Sequence, residues 1–187
     1  MIGDQRCGSI GAVTTRVGFL RAVNVGRRTV KMSRLAELVE GLGYDDVWTY
    51  INSGNVVFEG TGSRATIERA IAEALEADLG FEVTTFVRSV AELRSALAVE
   101  PFTMRDGDTY FITFLKSAPP AAVAKELEAA SNDFDTLVVE GRDVHWHMRG
   151  KSTDTTLKKK TWNLVGALGS TSRNTTMLRK LVDKIDS

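Results

Sequence analysis

Hydrophobic and polar positions switch between two periods along this chain. Val17 to Val23 follows a period of two. Val17, Phe19, Arg21 and Val23 take one face, and Gly18, Leu20, Ala22 and Asn24 the other. Both faces are largely apolar, which predicts a central strand covered on both sides. Arg21 is the exception. A guanidinium inside such a strand needs a carboxylate, backbone carbonyls or a bound anion, and a satisfied internal ion pair is the expected arrangement. After the polar run Asn24 to Thr29, the residues Met32, Leu35, Leu38, Val39 and Leu42 fall on one helical face. Gly43 is expected to end that helix as a left-handed C-cap, with Tyr44 folded back on Val39. Asp46 to Ile51 reads as a second strand and Asn52-Ser53-Gly54-Asn55 as a tight turn. Val56 to Phe58 is then a third strand. Ser63 caps a helix that carries Ile67, Ala70, Ile71, Ala74 and Leu75 inside and stops at Gly80. Glu82 to Arg88 reads as a fourth strand.

The order β-α-β-β-α-β is that of the split βαβ, or ferredoxin-like, unit. The second half echoes it. Ser89-Val90-Ala91-Glu92 is a capping box that opens a helix through Leu97. Thr109 to Leu115 is a strand, and Pro119-Pro120 starts a helix. Thr136–Glu140 and Asp143–Met148 form a hairpin around Gly141-Arg142. A helix is expected over about Thr155 to Leu168, then a polar connector, Ser170 to Asn174, and an amphipathic helix bearing Met177, Leu178, Leu181, Val182 and Ile185. No final strand is evident. The fold class predicted is α+β, with duplicated ferredoxin-like units, antiparallel sheets and packed helices. Residues 1–15 form a leader expected to be flexible, 16–88 a first unit, and 89–187 a second unit with basic C-terminal helices packed closely on the first.

Two stretches carry a family resemblance. Phe19-Leu20-Arg21-Ala22-Val23-Asn24-Val25-Gly26 is similar to a pattern LLRGINVGG, and Tyr50-Ile51-Asn52-Ser53-Gly54-Asn55-Val56-Val57-Phe58 to TYIQSGNVVF. Both belong to domain-of-unknown-function family 1697, a bacterial family. Thr171-Ser172-Arg173-Asn174 resembles that family's TTRN. Ala22 stands where the pattern has glycine, Arg27 where it has a second glycine, and Asn52 where it has glutamine. Thr175, Thr176 and Met177 replace the Trp-Asn-Thr that commonly follows. The resemblance spans about Val17 to Ile185. It implies ferredoxin-like α+β units and no established activity.

Composition adds limits. Of 187 residues, 43% are hydrophobic and 26% charged, as in an ordinary globular protein. No apolar run nears the roughly 18 residues of a membrane span, and the N-terminal stretch lacks the apolar block of a secretory signal. A cytoplasmic location without membrane contact is expected. The single cysteine, Cys7, excludes a disulfide framework. Net charge is zero, but residues 1–140 carry a balance of −6 and residues 141–187 one of +6. Such asymmetry points either to an anionic partner or to a basic tail lying on its own acidic body, and the second reading is preferred.

The ferredoxin-like order itself locates a candidate site. Its first and second strands run parallel, so the loop after the first and the turn after the second share one end of the sheet. Asn24, Gly26, Arg27 and Arg28 should therefore neighbour Tyr50, Asn52, Ser53, Gly54 and Asn55, and Arg21 and Lys31 are candidate ligand-binding residues with them. The N-terminus of the first helix lies there too, and with Arg27, Arg28 and Lys31 it suits a phosphate or carboxylate. Arg173 and Asn174 join the candidates through the C-terminal motif. Two good turns without any ligand would explain the same residues.

His145 and His147 share one strand face with Asp143. Zinc needs a further ligand nearby, so an exposed pair on a solvated face is expected, with no metal and no cofactor. Lys158-Lys159-Lys160 beside Trp162 suits single-stranded nucleic acid, but a solvated helix face is the plainer reading. The exposed aromatics of an RNA-binding sheet are not seen in the strand positions. The preferred function is a binding or regulatory domain with an anion site at the 24–28 and 52–55 turns. The alternatives are an enzyme acting on a phosphorylated or carboxylated small molecule, with Arg21 and Arg173 as electrophilic or positioning groups, and a nucleic-acid-binding protein using the basic segment. The sequence does not bear on oligomeric state.

Overall fold

The computed structural model describes residues 13–24 and 29–187 of the chain. Two compact units divide it. One holds the chain up to Gly18 and Ala22–Ser89, the other Phe19–Arg21 and Val90–Ser187. Residues 1–12 of the expected leader lie outside the described residues.

The first unit is built from β1 (Thr14–Leu20) as far as Gly18, its Phe19 and Leu20 counting with the second unit, and from α1 (Met32–Glu40), β2 (Asp45–Thr49), β3 (Asn55–Gly60), α2 (Arg64–Leu79) and β4 (Thr85–Ser89). Its sheet has the order β2-β3-β1-β4 and is antiparallel. The α1 helix packs on β2 and β3, α2 packs on β4, and the two helices pack on each other. Leu35 and Val39 of α1, and Ile67, Ile71 and Leu75 of α2, are buried. Each such side chain contributes about 1.5–3 kcal/mol by leaving water. Two devices fix α2. Ser63 caps its start by accepting from Thr66 N at 3.2 Å, and Gly80 closes it at φ +74. Buried Glu68 adds an internal clasp, its Oε1 accepting from the backbone of Val87 on β4 at 2.8 Å. Gly18 on β1 is a close approach: a Cβ there would stand 3.0 Å from Val56 Cγ1.

Two expectations change here. The α1 helix ends at Glu40, with Gly41 in right-handed conformation at its C-cap. Gly43 instead takes φ +83 in the following turn, and the Tyr44 ring meets Phe58 at 4.9 Å. Arg21 is not an internal strand residue. The β1 strand ends at Leu20 and Arg21 is exposed, so water solvates its charge and no buried partner is required.

The second unit runs α3 (Val90–Ala98), β5 (Thr109–Leu115), α4 (Ala121–Glu128), β6 (Asp135–Glu140), β7 (Asp143–Met148), α5 (Lys159–Ala167), β8 (Ser170–Asn174) and α6 (Thr175–Ile185). Its sheet order, β6-β7-β5-β8, repeats that of the first. The β6–β7 hairpin turns through Gly141 at φ +56 and pairs Asp135 with Met148 through Glu140 with Asp143.

The polar connector of the sequence reading is in fact the missing last strand. Ser170–Asn174 pairs antiparallel with β5, Leu115 opposite Ser170 and Phe111 opposite Asn174. Thr171 and Arg173 point inward and are buried. Polar inward residues hid the strand from a hydrophobic count. The α5 helix is also shorter than expected, because a single 3-10 turn, Ser152–Asp154, and an extended stretch precede it.

One face of this second sheet carries an apolar core of Leu115, Leu127, Leu137, Val144, Trp146, Met148, Leu157 and Val165. The other face is more polar. Tyr110, Ile112, Phe114, His145, His147, Thr171 and Arg173 are all buried there. The expectation of exposed histidines is therefore overturned: His145 and His147 are 0% and 1% exposed. Strand alternation separates the two faces of β7 but does not say which of them is covered, and here both are.

Candidate functional site

The paired turns of the first unit meet through one side chain. Asn24 Nδ2 donates to Asn52 O at 2.7 Å, and Asn24 Oδ1 accepts from Val30 N at 2.9 Å. The amide thus ties the segment leaving β1 both to the β2–β3 turn and to Val30, two residues ahead of α1. Within the turn, Asn55 is wholly buried. Its Nδ2 donates to Tyr50 O and to Ser53 Oγ, each at 2.9 Å, and Tyr50 N donates to Asn55 O at 3.0 Å. Gly54 sits at φ +72.

This rim is conformationally costly. Three of its non-glycine residues have positive φ: Ala22 (54°), Asn24 (57°) and Ile51 (50°). Asparagine tolerates that region, whereas a residue with an ordinary Cβ loses roughly 1–2 kcal/mol, and a β-branched one is a clear outlier. Strain of this kind persists only where surrounding bonds hold it. The Asn24 and Asn55 clasps are those bonds. Lys31, exposed, is the N-cap of α1 and forms no side-chain cap, and the first turn holds no acidic residue.

Of the residues singled out from sequence, Asn24, Lys31, Tyr50, Ser53, Gly54 and Asn55 lie at this rim. Gly26 and Arg27 lie outside the described residues. Arg173 and Asn174 belong to the second unit. Arg173 donates to Leu20 O, Ser172 O and Thr171 Oγ1, each at 2.9 Å, and its guanidinium lies 5.2 Å from the Phe19 ring centroid. Burial lowers its pKa to about 10. Asn174 caps α6 by accepting from Thr176 N at 2.8 Å.

Sequence reasoning missed a second polar cluster, around the buried histidines. Tyr110 OH and His145 Nδ1 are 2.5 Å apart. Burial pushes the phenol up to about 12, with smaller effects from Arg179, which lowers it, and Glu100, which raises it. Burial holds His145 below its ordinary value, against the pull of Glu140. His145 Nε2 has no hydrogen-bond partner among the described residues. His147 Nε2 lies 2.8 Å from Asp108 Oδ2, which also accepts from Arg149 at 2.9 Å. The His147 bond is the main reason the Asp108 carboxyl stays below the usual range; burial opposes it, and Arg105 N–H and Arg149 assist. Phe102 stacks on His147 at 5.0 Å and meets Tyr110 edge-on at 5.3 Å. The β5–β7 pairing, which sets Tyr110 opposite His147, brings the cluster together. Among the described residues no three His, Cys, Asp or Glu side chains are placed to hold a metal ion.

The basic segment is also engaged within its own unit. Lys160 pairs with Glu126 at 2.5 Å and Arg179 with Glu100 at 2.7 Å. Arg142 pairs with Glu92. The Trp162 ring is packed edge-on against Trp146 at 4.6 Å. No helix among the described residues is long and apolar enough to cross a membrane.

The family model described as Protein of unknown function (DUF1697) matches residues 13–145. The chain belongs to the DUF1697 family. Among solved structures, a conserved bacterial protein, SP0830 from Streptococcus pneumoniae, is similar at a TM-score of 0.76 and 21% identity. The alignment covers 94% of this chain and 100% of that one, a likeness of fold. No curated protein matches the chain.

Ala22 stands at φ +54, where glycine escapes the Cβ penalty. Ala22→Gly should raise stability by about 0.5–1 kcal/mol, the relief of strain less the extra freedom of an unfolded glycine. Urea denaturation measures it, and a loss of stability would contradict the strain assignment.

Proposed function

We propose that the protein is a cytosolic ligand-binding domain whose site is the rim between the β1–α1 and β2–β3 connections, and that its ligand bears a phosphate or carboxylate. The observation that carries this reading is the Asn24 clasp, which bonds to Asn52 O and Val30 N together. It fixes the turn beside the start of α1, where N–H groups that Lys31 leaves uncapped favour an anion. The sequence between Asn24 and Val30 carries Arg27 and Arg28, residues whose forked donors match such groups. Strained backbone at Ala22 and Ile51 supports a functional rather than merely structural turn.

Titration of the protein with inorganic phosphate, followed by amide NMR, tests the proposal. Saturable shifts are expected at Asn24, Lys31 and Asn52. Lys31→Ala, a surface change, should weaken binding about fivefold without altering stability, as loss of one charge-assisted contact does. Shifts that never saturate, or an affinity that Lys31→Ala and Asn24→Ala both leave intact, would remove the site from this rim.

A further inference from the structure

We propose that residues 128–132 form an autoinhibitory plug on the outer edge of β6, and that the surface they close is one for antiparallel pairing with β6 of a second copy of the chain. The β6 strand lies at the edge of its sheet. Alternate residues of such a strand turn their N–H groups away from the neighbouring strand, leaving a template for another chain. On β6 these are Asp135, Leu137 and Val139, and each N–H donates to a side chain instead. Asp135 N donates to Asn132 Oδ1 at 2.9 Å, Leu137 N to Ser131 Oγ at 2.9 Å, and Val139 N to Glu128 Oε1 at 3.0 Å. Asn132 N also donates to Asp135 O at 2.7 Å. Glu128 is exposed and Ser131 half-buried, so both can be truncated without opening the core. The strand itself is well suited to pairing. It runs in unbroken register from Asp135 to Glu140, and Thr136-Leu137-Val138-Val139 holds no charge and no proline. The strand in the same place of the first sheet, β2, is protected differently. Its register shifts between Asp45 and Trp48, with Asp46 at φ +46 and both Asp45 and Asp46 exposed. Pairing of two β6 strands about a twofold axis at Leu137 sets Leu137 opposite Leu137, Asp135 opposite Val139, and Thr136 beside Val138. The N–H groups that the plug holds then meet carbonyls of the second copy. The half-buried Thr136 and Val138 side chains cover one another, and no like charges are opposed.

Sedimentation velocity on the full chain tests the plug, with amide hydrogen exchange as a second readout. The double variant Glu128→Ala, Ser131→Ala should self-associate about tenfold more tightly than wild type, because two bonds no longer have to be displaced. Exchange at Leu137 and Val139 should slow as the concentration of that variant rises, while Thr136 and Val138, whose N–H groups turn toward β7, stay independent of concentration. Glu128→Gln keeps an acceptor oxygen and should behave as wild type. Adding Val139→Pro to the double variant removes an outward N–H that the sheet does not use and should return association to the wild-type level. Should the double variant not fold, Glu128→Ala alone, at an exposed position, carries the same readouts with association about threefold tighter than wild type. Association no tighter than wild type in the folded variant, or association that Val139→Pro leaves intact, overturns the proposal. Tighter association without slowed exchange at Leu137 and Val139 places the contact elsewhere and overturns it as well.

Discussion

Asp135→Ala is expected to cost about 3–5 kcal/mol of stability, a large loss for a single polar substitution. Asp135 is wholly buried at the start of β6. Its Oδ1 accepts from Trp146 Nε1 at 2.9 Å and from Thr155 Oγ1 at 2.8 Å. Its Oδ2 accepts from Thr156 N at 2.8 Å and Thr156 Oγ1 at 2.9 Å. One carboxylate thus fastens the extended stretch ahead of α5 to the tryptophan at the centre of the apolar core. Alanine leaves four donors without their acceptor, two of them N–H groups that cannot turn to a new role. An asparagine side chain keeps one acceptor oxygen, so Asp135→Asn should lie between alanine and wild type. Equilibrium urea unfolding followed by tryptophan fluorescence measures both, and an alanine variant within about 1 kcal/mol of wild type would refute the assignment. The pH dependence is an independent check. Burial alone would raise this carboxyl's pKa, but the bonds from Trp146, Thr156 and Thr155 outweigh it and the net shift is downward. A depressed folded pKa gives stability that is complete above the unfolded value of about 3.9 and is lost as pH falls through the folded one. The deficit of Asp135→Asn relative to wild type should therefore shrink below about pH 4.

The second large effect concerns His145. In the folded chain burial holds its pKa below the ordinary value; in the unfolded chain it titrates near about 6.5. The unfolded state therefore binds the extra proton, and stability falls as pH drops below that point. The slope is up to about 1.4 kcal/mol per pH unit until the folded pKa is reached. Protonation would leave a charged Nε2–H buried without an acceptor among the described residues. The Tyr110 hydroxyl already occupies the other nitrogen. Wild type should lose stability as pH falls from about 6.5 toward the folded value through this one group. The double variant Tyr110→Phe, His145→Leu removes both partners, so its stability curve should be flatter just below about pH 6.5. Parallel curves for the two proteins would show that His145 is not the titrating group.

At His145 sequence reasoning reached the right element and the wrong environment, whereas Asp135 lay one residue ahead of the strand it expected. The β6–β7 hairpin was evident from its alternation and from Gly141-Arg142, and alternation rightly put the two histidines on one face. Whether that face meets water depends on what packs over it, and the strand's own pattern does not contain that information. Ser170–Asn174 shows the complementary blindness. Its buried residues are a threonine and an arginine, whose polar groups are satisfied by Leu20 O, Ser172 O and each other, so no hydrophobic period marked the strand. Local chemistry was more readable. Ser63 and Gly80 bound α2 as their residue types require. The meeting of the β1–α1 segment with the β2–β3 turn followed from topology alone, and Asn24 is the side chain that joins them. The strain at Ala22 and Ile51 was not readable, because nothing in either residue type announces a left-handed backbone.

The repeated strand order also sets a timetable for synthesis. The first sheet has all four strands once Ser89 has been made, whereas the second needs β8, whose last residue is Asn174. At roughly 5–20 residues per second, the gap amounts to about 4–17 s. For that interval β5 and the β6–β7 hairpin exist without the polar strand that closes one side of β5, and the edge of β5 stands open to any other strand. A translational pause or a truncation upstream of Ser170 would prolong that exposure, making the nascent second unit the aggregation-prone half of the molecule.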